Sequence, residues 1–270
     1  MTHHAMRWIR CATVLAVTLM VTACTTSPTG RQQLTLMSDG QLDQMGQEAF
    51  SQYQQDLPPA GQAEQRFAQC IAQALVNQLP ASERDKNWQI RVFESEQANA
   101  FALPGGYMGI NTGLLQLAPD QDQIASVIGH EIGHVLARHA NERVSTQTST
   151  QLALSVLSSV SGMQGPGGDQ LMGALGLGAQ YGLLLPFSRR HESEADIIGL
   201  RLMADAGFDP RASITLWESM SAQGGANPPA WMSTHPSHGQ RIQGLQAEMP
   251  NAMARFEQAQ QAGRQPNCRL

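Results

Sequence analysis

Apolar residues recur with a helical period of about 3.6 along most of this chain and alternate in one short region, which predicts a mainly helical fold with a small sheet. Phe67, Ile71, Leu75 and Leu79 fall on one stripe, so a helix is expected over residues 62–79. Before it, Ser38 and Gln41 have the spacing of a capping box for a helix running to about Gln54, which Pro58-Pro59-Ala60-Gly61 stops. Trp88-Gln89-Ile90-Arg91-Val92-Phe93 alternates and reads as a strand. Two more strand segments, 99–103 and 107–111, flank Pro104-Gly105-Gly106 and lead into a helical turn before Pro119. Asp120 with Gln123 then caps a central helix, whose Ile124, Val127, Ile128, Ile132, Val135 and Leu136 recur at helical spacing.

Downstream, residues 145–185 are rich in Ala, Ser, Gly, Leu and Met and are broken near Gly165-Pro166-Gly167-Gly168. The two halves, 150–160 and 169–185, are too short and interrupted to cross a bilayer. Two packed helices, a lid over a site and a membrane-surface contact are the alternatives, and neither half has the basic face of an interfacial helix. A further helix opens at Ser188 and stops at Gly207, with Pro210 just beyond. Another ends at Met220, and the last runs through Leu245 into a polar tail. No repeat emerges that would make a solenoid.

Length and composition allow one large folded domain or two small ones with a sizeable core: 270 residues, 41% hydrophobic and 14% charged. The net charge is −5 and no Lys/Arg block exists to neutralise phosphates, so no nucleic-acid partner is expected. Residues 1–23 carry Arg7 and Arg10 before an apolar run about half the length of a spanning helix, the form of a signal peptide. Its end, Val21-Thr22-Ala23-Cys24, resembles a bacterial lipobox, which would lipidate Cys24 and anchor the chain to a membrane; an ordinary secretory signal or uncleaved anchor is the alternative. Residues 24–45 then read as a lipidated tether and polar linker, with no packing pattern over 25–30 and an alternating stretch at 33–37 that can lie on the domain surface, and 46–270 as the folded domain. Thr25 in place of aspartate points, by the same resemblance, to the outer membrane and the periplasm. With Cys11 in the signal and Cys24 lipidated, Cys70 and Cys268 are left to pair in an oxidising compartment or to stay as buried thiols.

The central helix carries His130-Glu131-Ile132-Gly133-His134. Its two histidines lie one turn apart on one face and can hold a single metal ion, with Glu131 placed to act on a water there. Gly129 and Gly133, four apart, each cost about 1 kcal/mol against alanine and leave a groove for close packing of a strand or helix. His139 lies about 140° round from His134, so it should not share the metal; it is expected at the surface or in support of a ligand. A catalytic zinc takes three protein ligands, and the helix after Ser188 offers Glu192 as the third, with Glu194 as second choice. Asp196, at i+4 from Glu192, can accept a hydrogen bond from a ligating imidazole and fix its tautomer. One of the two strand segments could take a substrate backbone by strand addition, and Asn99, Ala100, Phe101 and Ala102 are the candidate edge; a plain hairpin is the alternative.

These motifs together resemble the HtpX/Oma/BepA-type zinc metallopeptidases (metallopeptidase family forty-eight), and especially their periplasmic LoiP-like lipoprotein branch. Ser188-Arg189-Arg190 with Glu192, Glu194, Ala195, Asp196 and Gly199 carries the likeness, with Asn99-Ala100-Phe101-Ala102-Leu103-Pro104-Gly105-Gly106 and Thr234-His235-Pro236. The resemblance implies a zincin-type (gluzincin) α+β domain with a small sheet beside the metal helix, one Zn2+ per chain, and Glu131 as general base. It implies misfolded or stalled envelope proteins as substrates, with an assembly-machinery partner. It also gives His235 a role: closing the fourth metal position to hold the enzyme latent, or donating to the oxyanion, against a plain turn-capping histidine. Arg241 is expected to pair with a carboxylate of the site. A chaperone or assembly factor with a structural or latent zinc is the competing function.

Overall fold

The computed structural model describes residues 24–160, 188–223, 229–235 and 239–270. The expected signal peptide and the 169–185 half of the Ala/Gly-rich segment lie outside the described residues, as does any lid or membrane contact made there. No described helix is long and apolar enough to cross a membrane.

In chain order the elements are a hairpin of β1 (Cys24–Thr26) and β2 (Gln32–Leu34), then α1 (Asp39–Asp56), α2 (Gln62–Val76) and α3 (Ala81–Arg84). The sheet strands β3 (Gln89–Phe93), β4 (Ala100–Leu103) and β5 (Tyr107–Asn111) follow, then α4 (Thr112–Leu117) and the central helix α5 (Gln121–Leu136). The remainder is helical: α6 (His139–Val160), α7 (Arg189–Ala206), α8 (Ala212–Gln223), α9 (Ala230–Thr234) and α10 (Gly239–Gln261). This is the expected α+β, mainly helical architecture.

Local chemistry sets the boundaries. The Ser38 side chain accepts from the Gln41 amide and Gln41 reaches back, so the capping box starts α1. Asp120 accepts from the Asp122 and Gln123 amides at the start of α5. Ser188 caps α7, which ends on Gly207 in the left-handed region at φ 90°. Helix α2 stops at Val76, short of Leu79, but Leu79 still packs into the core.

The sheet runs in the order β3-β5-β4, with β3 and β5 parallel and β4 antiparallel to β5. Strand β5 is therefore central and β4 is an edge. The 107–111 segment cannot take an added strand, which leaves the Asn99–Ala102 side. Helix α2 covers β3, and α5 lies against β4. Phe67, Ile71, Leu75, Ile110, Ile124 and Ile128 fill the space between them. Cys70 and Cys268 form a disulfide that fastens the C-terminal tail to α2.

Two expectations need correction. The 24–45 segment is not an unpacked linker. It forms the β1–β2 hairpin and the first turns of α1, and it docks on the end of α5, on α6 and on α7: Gln33 Nε2 donates to Ala137 O, the Leu36 and Met37 amides donate to Ser145 and Asn141, and Arg31 Nε donates to Glu194. Its contacts are hydrogen bonds to buried polar groups, which an apolar period cannot register. Second, helix α10 does not end near Leu245 but continues through Pro250 to Gln261. Ala252 and Ala259 are buried along it, and Arg255 pairs with Asp205 on α7. Of the two places expected for His139, the surface or the support of a ligand, the structure gives the second: it is wholly buried, with its Nδ1 2.8 Å from His134 Nδ1.

Candidate metal centre

Helix α5 presents His130, Glu131 and His134, all buried. Helix α7 crosses it at the two glycines. A Cβ on Gly133 would stand 2.8 Å from Ala195 O, and one on Gly199 would stand 2.6 Å from the His130 nitrogen. Only bare backbone permits this approach, which the Gly129/Gly133 groove provides for a helix. The crossing sets Glu192, with no exposed surface, beside the two histidines. His235, at the end of α9, closes the group from the other side.

The ligating atoms of His130, His134, Glu192 and His235 all lie within 4.8 Å of one another. His130 Nε2 is 3.0 Å from His134 Nε2 and 3.2 Å from His235 Nδ1. Glu192 oxygens are 3.4 Å from each of the first two nitrogens and 3.1 Å from the third. Tetrahedral zinc with bonds of about 2.0–2.2 Å separates its ligands by about 3.3 Å, so the spacing fits.

Proton positions carry the same conclusion. His130 Nδ1 faces Asp196 Oδ1 at 3.0 Å, so its ring proton belongs there. His134 Nδ1 faces His139 Nδ1 at 2.8 Å, and the far nitrogen of His139 is 3.1 Å from Glu194. With His139 donating to Glu194, its Nδ1 must accept from His134. With their Nδ1 protons directed this way, both Nε2 atoms of the metal helix can offer lone pairs to one point, beside a carboxylate, and this N/O donor set suits zinc.

The demand for positive charge shows in the titration of these groups. Burial alone would lower His130, but hydrogen bonds to Asp196 and Glu192 push it up to about 9. Burial holds His134 well below its usual value. Burial would raise Glu192, yet the three histidines hold it far below the carboxylate range. Arg241, fully buried on α10, bridges the carboxylates: 2.8 Å to Glu192, and 2.5 Å and 2.7 Å to Asp196.

Glu131 stands next to this cluster rather than in it. Its oxygens accept from the Ala102 amide of edge strand β4 at 3.1 Å and from Trp231 Nε1 at 2.8 Å, and His235 Nε2 lies 3.3 Å away. Ala100 and Ala102 share the register facing away from β5; the Phe101 ring stacks on Tyr53, and the Asn99 carbonyl accepts from the Asn111 amide. Glu194, the second choice as ligand, points to the opposite side of α7 and binds His139. Cys24 lies in β1, opposite Leu34 of β2.

Sequence reading missed Trp231, the His139–Glu194 pair as a unit, and the polar turn at 27–31 that meets Glu194. An indole is read as core, and Trp231 is indeed stacked on Trp217 with 1% exposure, while its N–H serves Glu131. His139, five positions after His134, was the one visible signal.

An H-E-x-x-H helix, a carboxylate from a second helix and a small sheet with its edge along the cleft define an α+β domain of the zincin metallopeptidase class. A family comparison agrees, with the Peptidase family M48 model matching residues 62–249. The chain belongs to that family. It is 37% identical over 175 residues to "Mitochondrial metalloendopeptidase OMA1" of Schizosaccharomyces pombe, covering 64% of this chain and 50% of that protein. It is 32% identical over 254 residues to "Metalloendopeptidase OMA1, mitochondrial" of Bos taurus, covering 89% and 49%. It is 33% identical over 153 residues to "Beta-barrel assembly-enhancing protease" of Escherichia coli, covering 54% and 31%. The chain thus spans about half or less of the length of these relatives.

Proposed function

We propose that this chain is a zinc-dependent metalloendopeptidase that acts in the quality control of envelope proteins, held to the membrane through lipidated Cys24. The observation that carries the activity is the convergence of four metal-ligating atoms beside Glu131 and an edge strand. His130, His134 and Glu192 would hold the zinc, which when bound would supply Lewis-acid polarisation of the scissile carbonyl and lower the pKa of a water toward neutrality. Glu131 takes the proton from that water and passes it to the leaving amine. The Asn99–Ala102 edge holds the substrate backbone extended next to Glu131. Trp231 fixes the Glu131 carboxylate, and Asp196 with Arg241 fixes His130.

His235 Nδ1 lies 3.2 Å from His130 Nε2 and 3.1 Å from Glu192, so with zinc bound it would close the position that a catalytic zinc keeps for water, and its Nε2 approaches Glu131. In this reading the enzyme is latent until His235 swings away. The same geometry favours a second reading, an assembly factor whose zinc has four protein ligands and stays closed. Metal content and casein cleavage for wild type, Glu131→Gln and His235→Ala separate the two. A protease gives zinc in all three, no cleavage in Glu131→Gln and faster cleavage in His235→Ala. Stoichiometric zinc with no cleavage in any of them favours the assembly factor, and slower cleavage in His235→Ala makes His235 an oxyanion donor.

The envelope assignment rests on the lipobox-like 21–24 segment, the Cys70–Cys268 bridge, which needs an oxidising compartment, and relatives named for β-barrel assembly. Other relatives are named as mitochondrial. Radiolabelled palmitate incorporated by wild type but not by Cys24→Ala tests the anchor, and misassembled outer-membrane proteins with an assembly-machinery partner are the proposed company.

A further inference from the structure

Each ligating histidine of α5 is backed by a carboxylate, and each carboxylate by an arginine. For His130 the route is short: Asp196, then Arg241 from α10. For His134 it is longer: His139, then Glu194, then Arg31, whose Nε donates to Glu194 Oε2 at 2.9 Å. The Ser27 and Thr29 hydroxyls donate to the other Glu194 oxygen. The guanidinium of Arg31 also forks onto Glu142 at 2.7 Å and 2.6 Å. Glu142 in turn meets His191 at 3.0 Å, and the His191 ring stacks on His139 with centroids 4.3 Å apart.

Glu194 is therefore surrounded by donors and has only 4% of its side chain exposed. One donor comes from α6 and the rest from the 27–31 turn, which follows Cys24 directly. The turn lies outside the span matched by the family model. Resting on the metalloendopeptidase reading above, we propose that this turn is the outer layer of the metal site. Arg31 is a positioning residue that acts through Glu194 and His139 on the tautomer and orientation of His134. The strength with which His134 holds the metal then depends on the turn being docked, and a displacement of the segment next to the membrane anchor weakens the site.

The test uses the full chain and measures zinc affinity by competition with a chromophoric chelator, the visible spectrum of the cobalt(II)-loaded protein, and the melting temperature. Arg31→Met and Glu194→Gln are expected to weaken zinc binding by roughly 10- to 100-fold and to shift the cobalt bands. Arg31→Lys, which keeps one charged donor, restores part of the affinity. Arg201→Met, which removes a distant ion pair with Glu248, leaves zinc affinity as in wild type. Should Glu194→Gln fail to fold, Arg31→Met on the partly exposed hairpin answers alone. Wild-type zinc affinity and cobalt spectrum in Arg31→Met, even with a lower melting temperature, would make the turn a mere clamp and overturn the proposal. Unchanged zinc affinity in His134→Ala would instead overturn the metal-site reading on which it rests.

Discussion

Trp231 shows how much a single buried side chain contributes beyond its packing. Its ring fills the core against Trp217, while its N–H holds one oxygen of Glu131 and the Ala102 amide holds the other. A carboxylate fixed at both oxygens is aimed before substrate arrives. Trp231→Phe keeps most of the apolar volume and deletes the donor. A hydrogen bond to a charged group contributes about 1.5–3 kcal/mol, so kcat is expected to fall at least about tenfold, with zinc content unchanged. Michaelis kinetics on a fluorogenic peptide, in the most active form of the protein, check this; an unchanged kcat would remove Trp231 from the mechanism.

At the scale of elements, the α5–α7 crossing decides whether two helices can share one metal ion. A methyl on Gly199 would meet the backbone nitrogen of His130, a group that cannot rotate away. Gly199→Ala is expected to cost about 1–3 kcal/mol of stability through overpacking. Because it separates Glu192 from the histidines, it should also weaken zinc binding; denaturant unfolding and chelator competition measure the two effects. The start of α5 carries a second strain. Burial pushes the Asp122 carboxyl up to about 6, although the Asp209 amide pulls it down. The folded state therefore binds this proton more tightly than the unfolded chain does. This residue's contribution becomes more favourable as the pH falls from about 6 toward 3.8, and above 6 the ionised group carries its full cost. Asp122→Asn should raise the melting temperature at pH 7 and lose that advantage near pH 4.

Across the whole molecule, the disulfide joins residues separated by 198 positions. In the chain-entropy model, closing so large a loop contributes about 5 kcal/mol, an upper figure. The bridge holds the tail on α2, and from there the Cys268 amide and the Pro266 carbonyl bind Gln121 at the start of the metal helix. Cys268→Ser should lower the melting temperature under oxidising conditions, and a reductant should reduce wild type to the same value. An equal response of both proteins to reductant would show that the thiols are not bridged.

The residues alone fixed the helix that carries His130, Glu131 and His134, its cap at Asp120, and the Glu192/Asp196 face of α7, because spacing and capping are local properties. They also pointed to the Cys70–Cys268 pair by elimination. Three features needed the tertiary structure. Strand order puts β4 at an edge and β5 inside the sheet, whereas two neighbouring strands look alike when read along the chain. The approach of His235 to His130, Glu192 and Glu131 depends on where α9 lands against α5. The third feature is the docked 27–31 turn, whose polar residues read as linker because a buried hydrogen bond leaves no apolar period. Arg31 and Glu194 are 163 positions apart, and only folding brings that arginine onto the carboxylate that binds His139.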